Sequence, residues 1–371
     1  MEQTVEKLTE SMVPIQDWFP NIKIERPVVI SGPCSAETEE QVIETCKQLA
    51  ATGTVDVLRA GIWKPRTRPG SFEGIGSVGL QWLRSAKEET GLPIAVEVAN
   101  VKHIYESLKA GVDILWLGAR TTVNPFSVQE IADALKGVDI PVMIKNPINP
   151  DLELWIGAIE RIHQAGINRI AAIHRGFASH GEKKYRNTPH WQIPIELKRR
   201  IPHMPLICDP SHICGNRTNL AAIAQESMDL NYDGVMIESH IDPDNAWSDA
   251  KQQVVPERLA EIINNLVVRT EIPAKDDGLL EAYRAQIDKY DDEILAIFSQ
   301  RMRVAENIGR YKKEHGITIL QSKRWEDILA HMTDKGTKAG LSPEFIEKFL
   351  KAVHQESINH QNAVMNEGMD E

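Results

Sequence analysis

From residue 28 onward, short runs rich in β-branched residues alternate with longer stretches of helical periodicity. The runs VVIS (28–31), DVLRA (56–60), PIAVEVA (93–99), ILWLGA (114–119), PVMIK (141–145), RIAAIH (169–174), PLICD (205–209) and GVMIES (234–239) read as strands. Between them, TEEQVIETCKQLA (38–50), SVQEIADALK (127–136), LELWIGAIERIHQAG (152–166) and PERLAEIINNLVV (256–268) space their apolar residues for one helix face. Strand and helix alternating in eight units predict an α/β fold, a (β/α)8 TIM barrel. A doubly wound sheet is the alternative, and the regularity of the units favours closure.

After Thr270 the pattern changes. EIPAKDDG (271–278) is polar and ends in Gly, as a linker would. Residues 279–315 then hold no Pro and only Gly309, with apolar positions at Leu280, Tyr283, Ile287, Tyr290, Ile294, Phe298, Met302, Ala305 and Ile308. That spacing predicts one amphipathic helix of roughly 55 Å at about 1.5 Å per residue. Two shorter helices follow, near 322–334 and 342–365. So small a segment cannot enclose such a rod, so an all-α three-helix module that forms a homodimer through its helices is expected. The boundaries are therefore an N-terminal segment 1–27 of no identifiable chemistry, a barrel 28–270, a linker 271–278 and a helical domain 279–365.

Composition narrows the partners. The 371 residues include 42 Lys and Arg against 53 Asp and Glu, a net charge of −11. Nucleic acid and anionic membrane both demand a broad basic surface, so neither is expected as a partner. No apolar run is long enough to span a bilayer, the first residues lack a signal-peptide layout, and four scattered cysteines suit a reducing cytoplasm.

A TIM barrel carries its chemistry at the C-terminal ends of its strands. Here those ends present Cys34, Arg59 with Lys64, Arg66 and Thr67, Glu97, Arg120, Lys145, His174 with Arg175, Asp209 with His212, then Glu238, His240 and Asp249. Any one of these has a bland explanation as a rim charge or a small core residue. Their recurrence at every strand does not. Arg59, Lys64, Arg66, Arg120, Lys145 and Arg175 converging on one mouth would repel one another unless phosphate or carboxylate neutralised them. Cys34, His212, Glu238 and Asp249 supply a thiol, an imidazole and two carboxylates, a mixed set suited to one catalytic divalent ion.

In order along the chain, SGPCS, LRAGIWKPRTRPGSF, LGAR, IKNP, IHRG, CDPSH, IESH and SDAKQ resemble the type I 3-deoxy-D-arabino-heptulosonate 7-phosphate (DAHP) synthases. The resemblance implies condensation of phosphoenolpyruvate with erythrose 4-phosphate in the shikimate pathway. It implies a metal, Mn2+ foremost, on Cys34, His212, Glu238 and Asp249. Phosphoenolpyruvate would meet Arg59, Lys64, Arg120, Lys145, Arg175 and the Ala119 backbone, and the sugar phosphate Arg66, Thr67 and Asp209. Lys64, Cys34 and His212 would be catalytic, with Glu97 managing water. The related octulosonate 8-phosphate synthases resemble KANRS where this chain reads KPRT (64–67), which favours the four-carbon sugar.

The tail resembles the all-helical (AroQ-type) chorismate mutases through LLEAYRAQID, SQRMRVAENIGRYKK, SKRWEDIL and ESINHQ. That similarity implies that Arg284, Arg301, Lys312, Arg324, Ser357 and Gln361 contact chorismate or prephenate, with Lys312 and Gln361 catalytic and no cofactor. Arg301 and Lys312 are eleven residues apart, within about 20° on one helix face. Arg284 lies seventeen residues before Arg301, about 25 Å away and roughly 100° around, so it should serve a partner chain. The chain departs from the pattern at Trp325, where Glu usually accepts the substrate hydroxyl, and at Gln321. Two further readings follow: a prephenate- or chorismate-sensing module that feeds back on the barrel, or a non-catalytic metabolite-binding scaffold.

Overall fold

The computed structural model describes the chain except residues 1–7, 23, 65–69, 71, 180, 182–183, 271–277 and 368–371. It divides into two compact units, Met1–Glu271 and Ile272–Glu371.

In the first unit, β1 (Val28–Gly32), β2 (Val57–Ala60), β3 (Ile94–Val98), β4 (Ile114–Leu117), β5 (Val142–Lys145), β6 (Ile170–His174), β7 (Leu206–Cys208) and β8 (Gly234–Glu238) form a closed parallel barrel in sequence order. β1 pairs with β8 from Val28↔Gly234 to Gly32↔Glu238, which shuts the ring. The α/β barrel expectation holds over the doubly wound alternative. Side chains in a strand alternate between two faces, and here the faces fall into two separate apolar clusters. Val28, Ile30, Val57, Ala95, Ile114, Trp116, Met143, Ala171, Ile173, Ile207 and Met236 fill the interior. The intervening positions, such as Val29, Leu58, Val96, Ala172 and Val235, pack outward on the helices.

The N-terminal segment has a structural task that the sequence did not reveal. Ile15, Trp18 and Ile24 join the interior cluster. Val13 N–H donates to the Asn168 carbonyl (3.1 Å), and Arg169 Nη1 donates to the Trp18 carbonyl (3.0 Å). These anchors lie just before β6, so the segment closes the barrel end opposite the strand C-termini. At the other end Gly32 is obligatory. Its φ is +150°, and a Cβ there would stand 1.9 Å from the Arg59 carbonyl oxygen.

The second unit is α11 (Leu279–His315), α12 (Ser322–Lys338) and α13 (Pro343–Asn366). We number helices from α1 (Glu39–Ala51), and α4 (Ala119–Thr122), α8 (Pro210–Cys214) and α10 (Pro256–Asn264) belong to the barrel. Gly316 ends α11 in the left-handed conformation (φ 62°). Gly309 lets α13 approach closely, for a Cβ there would lie 3.0 Å from Gln361 Cα. Met302, Ala305 and Lys312 are buried on α11, whereas Leu280, Tyr283, Ile287, Tyr290 and Ile294 are 44–59% exposed. Among the described residues no helix is long and apolar enough to cross a membrane.

Candidate active site

Followed up six of the eight strands, the inward-facing positions change from apolar to charged. β2 passes from Val57 to Arg59, β3 from Ala95 to Glu97, and β5 from Met143 to Lys145. β6 leads from Ile173 to Arg175, β7 from Ile207 to Asp209, and β8 from Met236 to Glu238. Strand periodicity thus stacks a charged layer on an apolar one. Arg59 is 2% exposed and donates from Nη1 to Glu238 Oε1 at 2.7 Å. Its Nε is buried with no partner among the described residues. Lys145 Nζ stands 2.9 Å from Asp209 Oδ2. Burial pulls the Arg175 guanidinium down to about 10, with Arg186 and Arg120 adding to the effect against Asp209. An anion bound among these cations would relieve both burdens.

Cys34 and Asp249 come from loops and meet at 3.3 Å (Sγ to Oδ2), with Lys64 Nζ 2.7 Å from the same sulfur. His212 reaches Asp209 Oδ2 through Nδ1 (2.8 Å) and turns Nε2 toward Glu238 Oε1 at 3.9 Å. Because Asp209 can only accept, Nδ1 carries the proton and Nε2 keeps its lone pair. Burial holds His212 below its ordinary value despite Asp209, so the ring is neutral near pH 7. Burial also opposes charge on Glu238, yet His212, Arg59 and Lys64 hold that carboxyl down at about 2. Asp249 is likewise kept ionised, burial being outweighed by Arg186 and Lys64. Burial pushes the Cys34 thiol up to about 12, with Glu238 contributing.

Among the described residues, no three His, Cys, Asp or Glu side chains are grouped to hold a metal ion as they stand. Cys34–Asp249 and His212–Glu238 form two pairs, and each carboxylate already faces a cation: Arg186 for Asp249, Arg59 for Glu238. A neutral imidazole with a free nitrogen, two ionised carboxylates and a thiol beside an ammonium fit a divalent ion in donor chemistry.

Several expected residues stand elsewhere. Arg66 and Thr67 lie outside the described residues. His174 has the outward parity of β6: Nε2 meets the Pro189 carbonyl (2.6 Å) and Nδ1 the Tyr232 hydroxyl (2.9 Å). Burial brings it down to about 3, so it is a neutral brace behind the barrel wall rather than a rim residue. His240 Nδ1 accepts from Asp242 N–H (2.9 Å) and its Nε2 faces Glu37 (3.4 Å), bracing the loop toward Asp249. Ala119 and Arg120 open α4 immediately after β4.

Other residues escaped notice in the sequence. Trp116 is the floor of the charged layer, with Arg59 Cζ 4.9 Å and Lys145 Nζ 5.9 Å from its ring and its indole N–H on Glu97 (3.1 Å). Its inward parity in β4 was the available signal. Arg186 binds Asp249 (3.0 Å) and Gln252 (2.7 Å), and Gln252 in turn donates to Glu238 (2.7 Å). Asn146 and Asn187 accept from the Arg175 backbone and guanidinium, each at 2.7 Å. Asn146 was marked only by its place next to Lys145 at the end of β5, and Asn187, on a loop, had no mark.

The helical unit encloses a cavity of about 320 Å³ lined by Arg301 and Lys312 of α11, Arg324 and Trp325 of α12, and Ser357 and Gln361 of α13. Arg301 donates to the Ser357 hydroxyl. Lys312 Nζ donates to the Ile319 carbonyl at 2.6 Å. Gln361 Nε2 donates to the Ser357 carbonyl (3.1 Å) and leaves Oε1 buried without a partner among the described residues. The donor expected of Gln361 is therefore its second amide hydrogen. Burial lowers both Arg301 and Lys312. Arg284 does not line this cavity; it is exposed and paired with Glu281.

Comparison with known proteins identifies the family. The profile of the DAHP synthetase I family matches residues 22–272, and that of chorismate mutase type II matches 283–362. A phospho-2-dehydro-3-deoxyheptonate aldolase of Thermotoga maritima is 31% identical over 238 residues, 64% of this chain and 68% of that protein. A 2-dehydro-3-deoxyphosphooctonate aldolase of Nitratidesulfovibrio vulgaris is 27% identical over 275 residues, 65% of this chain and 91% of that one. The crystal structure of a Thermotoga maritima DAHP synthase superposes with TM-score 0.60 at 30% identity, covering 67% of this chain and 70% of that one. The eight strands fall within the first match and the second match overlaps the three helices that follow: the chain belongs to the DAHP synthetase I family and carries a chorismate mutase type II domain C-terminal to its synthase domain.

Proposed function

We propose that residues 28–270 condense phosphoenolpyruvate with erythrose 4-phosphate to DAHP and phosphate, and that residues 279–365 rearrange chorismate to prephenate. The observation that carries the first reading is the inward layer of Arg59, Lys145 and Arg175 above an apolar interior, with the Arg59 Nε donor left without a partner among the described residues. Arg59, Lys64, Arg120, Lys145, Arg175 and the Ala119 N–H grip the phosphate and carboxylate of phosphoenolpyruvate. Arg66 and Thr67 take the phosphate of erythrose 4-phosphate, and Asp209 contacts that substrate elsewhere. C3 of the enol forms a bond to the aldehyde carbon, water adds at C2, and phosphate leaves from C2 by C–O cleavage. Fixed cations hold two anions that repel in water, which supplies proximity and orientation. Glu97, fixed by the Trp116 indole, orients the water. Cys34, His212, Glu238 and Asp249 would hold one divalent ion, Mn2+ foremost, which when bound supplies Lewis-acid polarisation of the aldehyde.

The test follows phosphate release from the two substrates. A chelator should lower the rate by about a hundredfold or more, and Mn2+ should restore it. Arabinose 5-phosphate in place of erythrose 4-phosphate should be turned over poorly; preference for the pentose overturns the substrate assignment.

For the tail, Arg301, Lys312, Ser357 and Gln361 in one cavity support a working mutase. Trp325, standing where the resemblance expects a carboxylate, favours a second role as a prephenate or chorismate sensor feeding back on the barrel. The exposed apolar row on α11 suits a homodimer in which Arg284 completes the partner's cavity.

A further inference from the structure

The mutase reading leaves one group of the substrate unclaimed. Chorismate carries two carboxylates, an ether oxygen and a ring hydroxyl. Arg301 and Arg324 suit the carboxylates, and Lys312 and Gln361 present N–H donors to the ether. The hydroxyl both donates and accepts, and among the described residues no Asp or Glu lines the cavity. His354 does line it, one helical turn before Ser357 on α13. Its ring lies flat on Trp325, with centroids 4.0 Å apart and planes 15° from parallel. It is half-buried, and its nitrogens have no hydrogen-bond partner among the described residues. Burial, with Arg301 and Lys312 adding, lowers its pKa, so the neutral ring offers one donor and one acceptor.

We propose that His354, held flat by Trp325, recognises the ring hydroxyl of the substrate and determines specificity in the mutase cavity. The inference rests on the mutase reading of that cavity. Trp325 then does not fill the place of a missing carboxylate; it orients the residue on the facing helix that replaces it. Of the other neutral polar side chains lining the cavity, Ser357 is engaged by Arg301 and the Val353 carbonyl and Gln361 serves the ether, which leaves Gln321 to compete for this part.

The experiment uses the full chain and two ligands, chorismate and the analogue without its ring hydroxyl. His354→Phe keeps a ring on Trp325 and removes both nitrogens, so folding is preserved. It should lower kcat/KM for chorismate by about ten- to a hundredfold and leave the deoxy analogue within about twofold. Trp325→Ala should show a smaller loss of the same selectivity. Equal slowing of both compounds by His354→Phe, or a hydroxyl-selective loss in Gln321→Ala instead, overturns the assignment. Binding measured by calorimetry judges His354 without turnover. A chain that binds chorismate but never converts it ends the mutase reading, while weakened binding of chorismate alone in His354→Phe still supports the recognition role.

Discussion

Arg59→Met should abolish synthase turnover, by about a thousandfold or more, and also destabilise the barrel. The two effects have separate causes and separate tests. Arg59 and Glu238 face each other at 2.7 Å with side chains 2% and 1% exposed. Deleting one partner strands the other charge out of water, which costs about 3–5 kcal/mol. For a barrel of this size that is a fall in Tm on the order of 10 °C. Replacing both residues, Arg59→Met with Glu238→Leu, removes the stranded charge and should recover most of that loss. Turnover should stay absent in the double variant, because neither the anion clamp nor the candidate metal ligand returns. Calorimetry and phosphate release on the single and double variants read the two quantities independently. A single variant that still condenses the substrates removes Arg59 from the clamp. A double variant as unstable as the single removes the ion pair as the cause.

The residues behind this prediction show what the sequence made legible. Strand limits follow from short β-branched runs, and parity within a strand then fixes which residues face the axis. Arg59, Lys145, Arg175, Asp209 and Glu238 were therefore readable as one layer. His174 was misplaced because it sits at the same rim with the opposite parity. Trp116 was passed over because a tryptophan within ILWLGA reads as core, and only the cations above it reveal its second use. Cys34, Asp249 and Arg186 lie on loops, which have no period. The first two needed a resemblance to be singled out firmly, and Arg186 had none to reveal it. The N-terminal segment gave no warning of its docking because its contacts, such as Arg169 with the Trp18 carbonyl, are long-range. In the helical unit, the uninterrupted stretch 279–315 after the linker glycine matched α11. The stack of Trp325 on His354 joins two helices, so no window of sequence contains it.

Lys312→Met should remove mutase activity and spare the synthase. Lys312 is 8% exposed on α11, and its Nζ is fixed by the Ile319 carbonyl at 2.6 Å, which leaves two N–H bonds for a ligand. A preorganised cation of this kind contributes most where negative charge grows in the transition state, and losing one such donor costs about a hundred- to a thousandfold in kcat. Methionine keeps the stem's packing and leaves only the Ile319 carbonyl short of a donor, a loss of about 1 kcal/mol that the helical unit should survive. The pH profile adds a check that folding cannot mimic. Burial lowers the Lys312 pKa from its ordinary 10.5, so the charged form is lost as pH rises through that depressed value. Mutase rate should therefore fall on an alkaline limb placed below the usual lysine range, while phosphate release by the barrel keeps its own profile. Residual turnover in Lys312→Met should lack that limb. If the variant rearranges chorismate at the parent rate, Lys312 is not the catalytic cation and the cavity between α11, α12 and α13 loses its assignment as the mutase site.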